Sequence, residues 1–519
     1  LKRFTTSDLF DRSLASIAVP SLCVLVIALL LVVALKVFPK KVREKDDLII
    51  HQSDGEEKTS RRLGMLEQVF LEREKINNWG TVSSVLLLES TQELRQDELR
   101  KALVLLAKRY PLLRMSIQET TDGVHFEEME NPTTIDFELL NHVTADDWVQ
   151  GFEAELNGYQ FNITRGPLWR ARLLKETFSE GKFTNAVVFT FQHVICDALS
   201  IFEFQKTLLE FLASLHGGVE FKVESLPLKP PLESLMPKLV QPSIAERALL
   251  SSFFSLQRAK AFFVKPKNLF LSVYPPVSNA DPIVTKKTCL LARSLSEEET
   301  KLLKKSCKEN KCTVHGAITA STYLATARIL HREKHDLKFP LALESSYSAS
   351  VRNHCEPKLS RDDFGAYVSA SSLKLPVPLV QPYDKQGFWE FARACTREVH
   401  AQIDSKKYLN LLKFYHCIDI PKYCAMSNYE HNQGRRSHIF NINNYGAQQT
   451  NQSDAGPFKF AGLFFGVQGA NTGPTFGNNI ITVDGRLYWT VEYFPHVTSK
   501  TQTEDFFELS LQTLRQVYT

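Results

Sequence analysis

The sequence offers no disulfide framework. Its nine cysteines are scattered and odd in number, with no CxxC pair and no zinc-like spacing, so a reducing compartment is expected and no structural metal. Charge of neither sign dominates. The 62 basic and 58 acidic residues leave a net charge of +4 and are interspersed, so no basic stripe tracks a phosphate backbone and nucleic acid is not an expected partner. No short-period repeat is present, which argues against a solenoid. The 35 phenylalanines read as core rather than as a stacking surface. With 519 residues, 43% of them hydrophobic, the chain is long enough for more than one packing unit.

One stretch lacks charge altogether. "SLASIAVPSLCVLVIALLLVVAL", Ser13 to Leu35, is long enough as a helix to cross a hydrocarbon core, and too long for the apolar region of a signal peptide. A membrane anchor over 13–38 is therefore expected. Lys36, Lys40, Lys41, Arg43 and Lys45 follow it, against Lys2, Arg3 and Arg12 before it. The positive-inside rule then puts the main body in the cytosol, on a single-pass membrane such as the endoplasmic reticulum. Residues 39–62 are charged and poor in apolar side chains, which suits a solvated linker.

Beyond the linker the periodicities mix. "TVSSVLLLES" and "NAVVFTFQ" read as strands, and "QDELRKALVLLAKRY" and "DWVQGFEAELNG" as amphipathic helices. Prolines cluster between 227 and 285, as in a crossover joining two lobes rather than in a core element. Within it, "SIAERALL" opens on a capping box, Ser243 with Glu246, and the following basic and aromatic run suits a linker helix or an interfacial membrane helix. A second mixed block follows over 286–519: "SEEETKLLKKSCKENK" and "TVHGAITASTYLATARIL" as helices, "FPLALESSYSASV" as a strand, a hairpin around Asp484-Gly485, and a closing helix. The expected fold is α/β, mixed α+β: an N-terminal lobe over 63–226 and a C-terminal lobe over 286–519, with a cleft between them.

A histidine four residues before an aspartate occurs at His142–Asp146, His193–Asp197 and His400–Asp404. The first straddles a helix start, where Thr144 can cap and Asp147 can sit at the third helical position. The third lies on one exposed face of the helical run "FWEFARACTREVHAQIDSKKY". Only His193 sits between an apolar strand and a helix, where a junction can turn a side chain into a cleft. On spacing alone it could equally be a polar residue closing a buried strand.

Several segments around this junction resemble, in order, the chloramphenicol acetyltransferase-like superfamily, in its condensation-domain and alcohol acetyltransferase branch. "LRKALVLLAKRYPLLRMSI" is similar to the family's early helix and "hPxLR" turn, and "FNITRGPLWRARLL" to its "GPLxR" strand. "FQHVICDALS" matches HHxxxDG, with Gln192 for the first histidine and Ala198 for the glycine. "CTVHGAITAS", "SVRNHCEP", "DFGAYVSA" and "GRLYWTVEYF" resemble landmarks of the second lobe. Asp363-Phe364-Gly365 lies mid-lobe without the tryptophan of the plant-type "DFGWG", so that subgroup is not implied.

The resemblance implies that His193 is the general base of acyl transfer and that Asp197 is architectural, with Arg352 its candidate partner. A supporting role is implied for Gln192. Oxyanion donors are expected from the polar loops around Asn444 and Ser427, although Asn and Gly also favour turns for backbone reasons. No permanently bound cofactor and no metal is expected; acyl-CoA is a co-substrate, an alcohol of apolar character suits the anchor as acceptor, and a monomer is expected. Two other functions stay open. One is amide formation on carrier-bound substrates, although the chain has no Gly-x-Asp-Ser attachment signature. The other is a non-catalytic acyl or lipid binder, for which the Gln192 and Ala198 departures leave room.

Overall fold

The computed structural model describes residues 50–53, 56–77, 79–158, 160–219, 221–250, 252, 268–276, 287–426, 436, 438–451 and 456–518. The expected anchor at 13–38, residues 39–49 of the expected linker, and Ser427 lie outside the described residues. Among the described residues, no helix is long and apolar enough to cross a membrane. The chain divides into two units, Leu1–Asp46 with Gln241–Pro266, and Asp47–Val240 with Lys267–Thr519. In the first unit the capping box forms: the Ser243 amide donates to the Glu246 carboxylate at 2.9 Å, and the Glu246 amide to Ser243 Oγ at 3.2 Å. The second unit carries the sheets and the site.

The N-terminal lobe contains β1 (Ile50–Ser53), β2 (Glu56–Arg62), α1 (Met65–Asn77), β3 (Thr81–Ser90), α2 (Gln96–Arg109), β4 (Met115–Thr120), β5 (Gly123–Glu128), β6 (Asp136–Thr144), α3 (Trp148–Asn157), β7 (Trp169–Lys175), β8 (Thr177–Ser179), β9 (Lys182–Gln192) and α4 (Ala198–His216). Two of these strands fall where a solvated linker was expected. β2 pairs antiparallel with β5, and its Arg61 is matched from the following helix: it grips Glu67 of α1 at 2.6 and 2.8 Å and lies over the Phe126 ring of β5. The Arg61 stem covers apolar surface while its head is paired, so a charged segment folds.

The C-terminal lobe contains β10 (Cys289–Leu295), α5 (Glu297–Glu309), α6 (Val314–Glu333), β11 (Leu341–Ser350), β12 (Val368–Val377), α7 (Lys385–Asp404), β13 (Phe440–Gln448), β14 (Phe458–Val467), β15 (Gly477–Val483), β16 (Arg486–Tyr493) and α8 (Lys500–Tyr518). Its six-stranded sheet runs β10-β16-β15-β13-β11-β12, with α6 and α8 among the elements that bury its apolar face. β14 does not join it. That strand leaves its lobe and adds to the first-lobe sheet in the order β14-β3-β9-β7-β6, pairing antiparallel with β3 along its length. The two lobes expected as contiguous halves are therefore interlocked by one strand. The proline-rich crossover also contributes core: Leu232, Leu235, Met236, Val240 and Phe270 are buried, and Phe270 packs on Phe476 in the second core.

The two motif segments upstream of His193 act as scaffold. Arg114 of "YPLLR" donates to the carbonyls of Ala107 and Lys108, each at 2.8 Å, and so satisfies the exposed C-terminal end of α2. Trp169 of "GPLWR" donates its indole N–H to the Leu113 carbonyl at 2.9 Å, tying that turn to β7. Next to it, the fully buried Arg170 is paired with Glu155 at 2.6 Å. β7 and β3 hold β9 on both sides. The run Ala186–Gln192 is buried throughout, and each of its large apolar side chains is worth roughly 1.5–3 kcal/mol of burial. The end of β9 is therefore a rigid platform.

Candidate active site between the lobes

β9 ends at Gln192, a single 3-10 turn spans His193–Ile195, and α4 begins after Asp197. This turn points the His193 ring into a cavity of about 180 Å³ whose lining comes from both lobes. The ring stacks on Phe70 of α1, with centroids 4.0 Å apart and planes 9° apart, and lies near Trp79. Its Nδ1 sits 2.8 Å from the Cys196 carbonyl oxygen. A carbonyl only accepts, so Nδ1 carries the hydrogen and Nε2 keeps its lone pair. Burial pushes the imidazolium below its ordinary range, opposed by the bond to Cys196 and by the Asp197 charge. His193 is thus a neutral base over a wide pH range.

Asp197 faces away from the imidazole. Its carboxylate accepts from Arg352 Nη1 at 2.7 Å and Nη2 at 2.9 Å, from the Ser200 amide at 2.9 Å and from the Tyr367 amide at 3.0 Å. Arg352 also donates to Ser200 Oγ at 2.8 Å and lies over the Tyr367 ring. Ser200 Oγ and the Gly365 backbone complete the cluster, donor to acceptor in both directions. Burial raises the Asp197 carboxyl, and the Arg352 charge and the surrounding N–H groups bring it to a net position below the usual carboxylate range. The residues "SVRN" and "DFGAY" of the second lobe therefore lock onto the helix start of the first. The pairing of Asp197 with Arg352 is the one expected from the sequence.

The other sequence candidates divide. Gln192 is buried and does not line the cavity; its side chain favours the charged form of the Glu74 carboxyl on α1, against the burial that raises it. Ala198, the first residue of α4, lines the cavity beside His193, and a helical first position has no need of glycine. Asn444 does not line the cavity and instead accepts from the Gly446 amide at 2.9 Å. Strand parity is the reason: on β13 the alternate residues Asn441, Asn443 and Tyr445 face the cavity. Of the two other HxxxD matches, His400 and Asp404 are exposed on α7. Near the remaining match Thr144 donates to Asp147 at 2.8 Å, but Asp147 is itself the helix cap rather than the third helical residue.

Sequence reasoning missed Glu492. It lies on β16 inside "GRLYWTVEYF", is 4% exposed and lines the cavity. The Val467 amide of β14 and Asn479 Nδ2 both donate to its Oε1, at 2.5 and 2.6 Å. Asn479 Oδ1 in turn accepts from Tyr445 OH at 2.7 Å and Asn443 Nδ2 at 3.1 Å, and Asn443 accepts from Ser348. Burial pushes the Glu492 carboxyl up to about 7, against those two donors. Among the described residues no group of three His, Cys, Asp or Glu could hold a metal ion.

Solved structures share its fold at low identity. The trichothecene 15-O-acetyltransferase TRI3 of Fusarium sporotrichioides is 14% identical, with a TM-score of 0.65 over 90% of this chain and 97% of that one. Polyketide synthase associated protein 5 of Mycobacterium tuberculosis is 13% identical, with a TM-score of 0.58 over 88% and 97%. The epimerization domain of tyrocidine synthetase B is 11% identical, with a TM-score of 0.59 over 90% and 97%. No curated protein sequence matches the chain. The alcohol acetyltransferase family model matches residues 154–514, a span that takes in the His193 turn, Asp197, Arg352 and the cavity face of β13. The fold, the interlobe site and this match agree, and the chain belongs to the alcohol acetyltransferase family.

Proposed function

We propose that the protein transfers an acyl group from an acyl-CoA thioester to an alcohol, with His193 as general base. The observation that carries this reading is the fixed tautomer: Nδ1–H is held by the Cys196 carbonyl, and Nε2 keeps its lone pair in an interlobe cavity. In the step itself Nε2 takes the hydroxyl proton as the alcohol oxygen attacks the thioester carbonyl carbon. The tetrahedral oxyanion then collapses, the carbon–sulfur bond breaks, and the imidazolium returns its proton to the departing thiolate. Asp197 is a positioning residue, since its oxygens are all spent on Arg352, Ser200 and Tyr367.

The oxyanion needs a donor in a water-poor setting. Asn441 lines the cavity, and its Oδ1 accepts from the Asn478 amide at 2.8 Å, which leaves Nδ2 as the end of the amide available to substrate, so this role moves from Asn444 to Asn441. A 180 Å³ cavity suits a short acyl group and a compact alcohol, below the span of about 300–1,000 Å³ usual for drug-sized ligands. We further propose that the uncharged stretch within 13–38 anchors a monomeric body on the cytosolic side of a membrane such as the endoplasmic reticulum, supported by its length and by the basic residues after it.

The test is product identification. The full chain is incubated with acetyl-, butyryl- and octanoyl-CoA and a panel of alcohols and amines, and products are resolved by mass spectrometry. Esters from the short donors are expected. Amides only, or turnover only with donors tethered to a carrier protein, would overturn the reading in favour of condensation chemistry.

A further inference from the structure

Glu492 is a buried carboxyl that meets no cation among the described residues, a costly arrangement unless something else completes it. Every donor supplied to it goes to one oxygen: the Val467 amide and Asn479 Nδ2 both reach Oε1. Asn479 is itself oriented by Tyr445 and Asn443, so the direction of the carboxyl is set from two sides. Oε2 receives no hydrogen bond from any described residue and is not enclosed. It lies over Gly477, where a Cβ would collide with it; the missing side chain is what makes room for this oxygen. Glu492 lines the same cavity as His193.

The separation follows from the sheet. Val467, whose amide holds Oε1, pairs with Val82 on β3, and Val82 pairs with Phe191 on β9, two residues before His193. Two strand spacings separate Val467 from Phe191, and the Val467 amide points away from β3 to reach Oε1, so the carboxyl lies at least roughly 10 Å from the end of β9. Oε2 is an acceptor held on a rigid frame in the cavity that the His193 ring enters.

Resting on the acyl-transfer reading, we propose that Glu492 selects acceptors that carry a second hydrogen-bond donor, a hydroxyl or an amine, at the end remote from the hydroxyl that is acylated. A donor there completes the open valence of Oε2, and a plain alkyl end leaves it buried and unmet. Selection of this kind is strong because the penalty falls on the wrong substrate.

The experiment uses 1-octanol, 1,8-octanediol and 8-amino-1-octanol with the full chain, the His193→Ala variant and the Glu492→Gln variant. Equilibrium binding is measured for all three proteins, and KM and kcat for those that turn over. Both bifunctional probes should bind tenfold or more tighter than 1-octanol to the full chain and to His193→Ala. In Glu492→Gln the octanol-to-amino-alcohol ratio should fall to near one, in KM rather than in kcat. Gly477→Ala, which pushes the carboxyl aside without removing it, should lower the same ratio. Equal binding of all three probes, or a preference that survives in Glu492→Gln and Gly477→Ala, overturns the proposal. If the preference holds but no thiol is ever released, the acceptor site stands and acyl transfer falls; turnover without preference sinks the acceptor site alone.

Discussion

Asp197→Asn is expected to destabilise the protein well beyond the loss of one surface contact. The carboxylate is 6% exposed, Arg352 is 7% exposed, and four N–H groups converge on two oxygens. An amide in its place offers one acceptor where two are needed, sets an NH2 against a guanidinium or a backbone N–H, and leaves the Arg352 charge buried without its counter-ion. Breaking a buried pair of this kind costs about 3–5 kcal/mol, against about 0–1 kcal/mol for an exposed pair. The assay is the urea midpoint of Asp197→Asn, Arg352→Met and the double variant. Each single change should cost several kcal/mol, and the double should cost little more than the worse single, because the second removal takes away the group stranded by the first. The sign with pH follows from the lowered carboxyl: the contribution is complete above the unfolded value near 3.9 and is lost as pH falls toward and through the folded one. Additive single effects, or a loss under 1 kcal/mol for Asp197→Asn, would refute a structural role for the pair.

Other consequences follow from the site. Because burial lowers the His193 imidazolium, the acidic limb of kcat/KM should lie below pH 6.5, and Phe70→Ala, which opens one face of the ring to water, should move that limb upward; an unchanged limb would mean that the stacked ring does not set the value. The same shift gives a sign for stability: the neutral, buried histidine contributes above about pH 6.5 and its contribution is lost as pH falls, so the urea midpoint of His193→Phe should depend less on pH between 5 and 7 than that of the unaltered chain. Asn441→Ala should lower kcat about 10²–10³-fold with a modest fall in melting temperature, because the buried Asn478 amide loses its acceptor, whereas Asn444→Ala should leave kcat within a few-fold; the reverse pattern would return the oxyanion role to Asn444.

What the sequence disclosed, and what it hid, depends on how local the signal was. The end of β9 was legible because an unbroken apolar run meets a helix start there, and only that junction separates His193 from His142 and His400. Arg352 was legible through its motif, and the structure brings it to Asp197 across 155 residues of chain. Asn444 lies one position off the cavity-facing parity of β13, since "NINNYG" has asparagines on both faces of a strand and nothing local says which parity meets the cavity. β14 was hidden for another reason: its pairing with β3 joins residues far apart in the chain, and an apolar strand buried on both faces has no alternation to show which sheet it joins. Glu492 sat in a mostly apolar strand that also carries Arg486, where a charge reads as an exposed position; its partners, Asn479 and the Val467 amide, come from two other strands. The segment 56–62 looked solvated because charge was counted without its pairing to Glu67.

The central claim is that Nε2 of His193 removes the proton of the acceptor alcohol. Its most direct test is the rate of free thiol release from acetyl-CoA in the presence of alcohols, compared between the full chain and His193→Ala at matched folded fraction. A fall of about 10²–10⁴-fold with an unaltered far-ultraviolet spectrum is predicted. Thiol release that is the same in both proteins, or absent from the unaltered chain with every donor and acceptor tried, would contradict it.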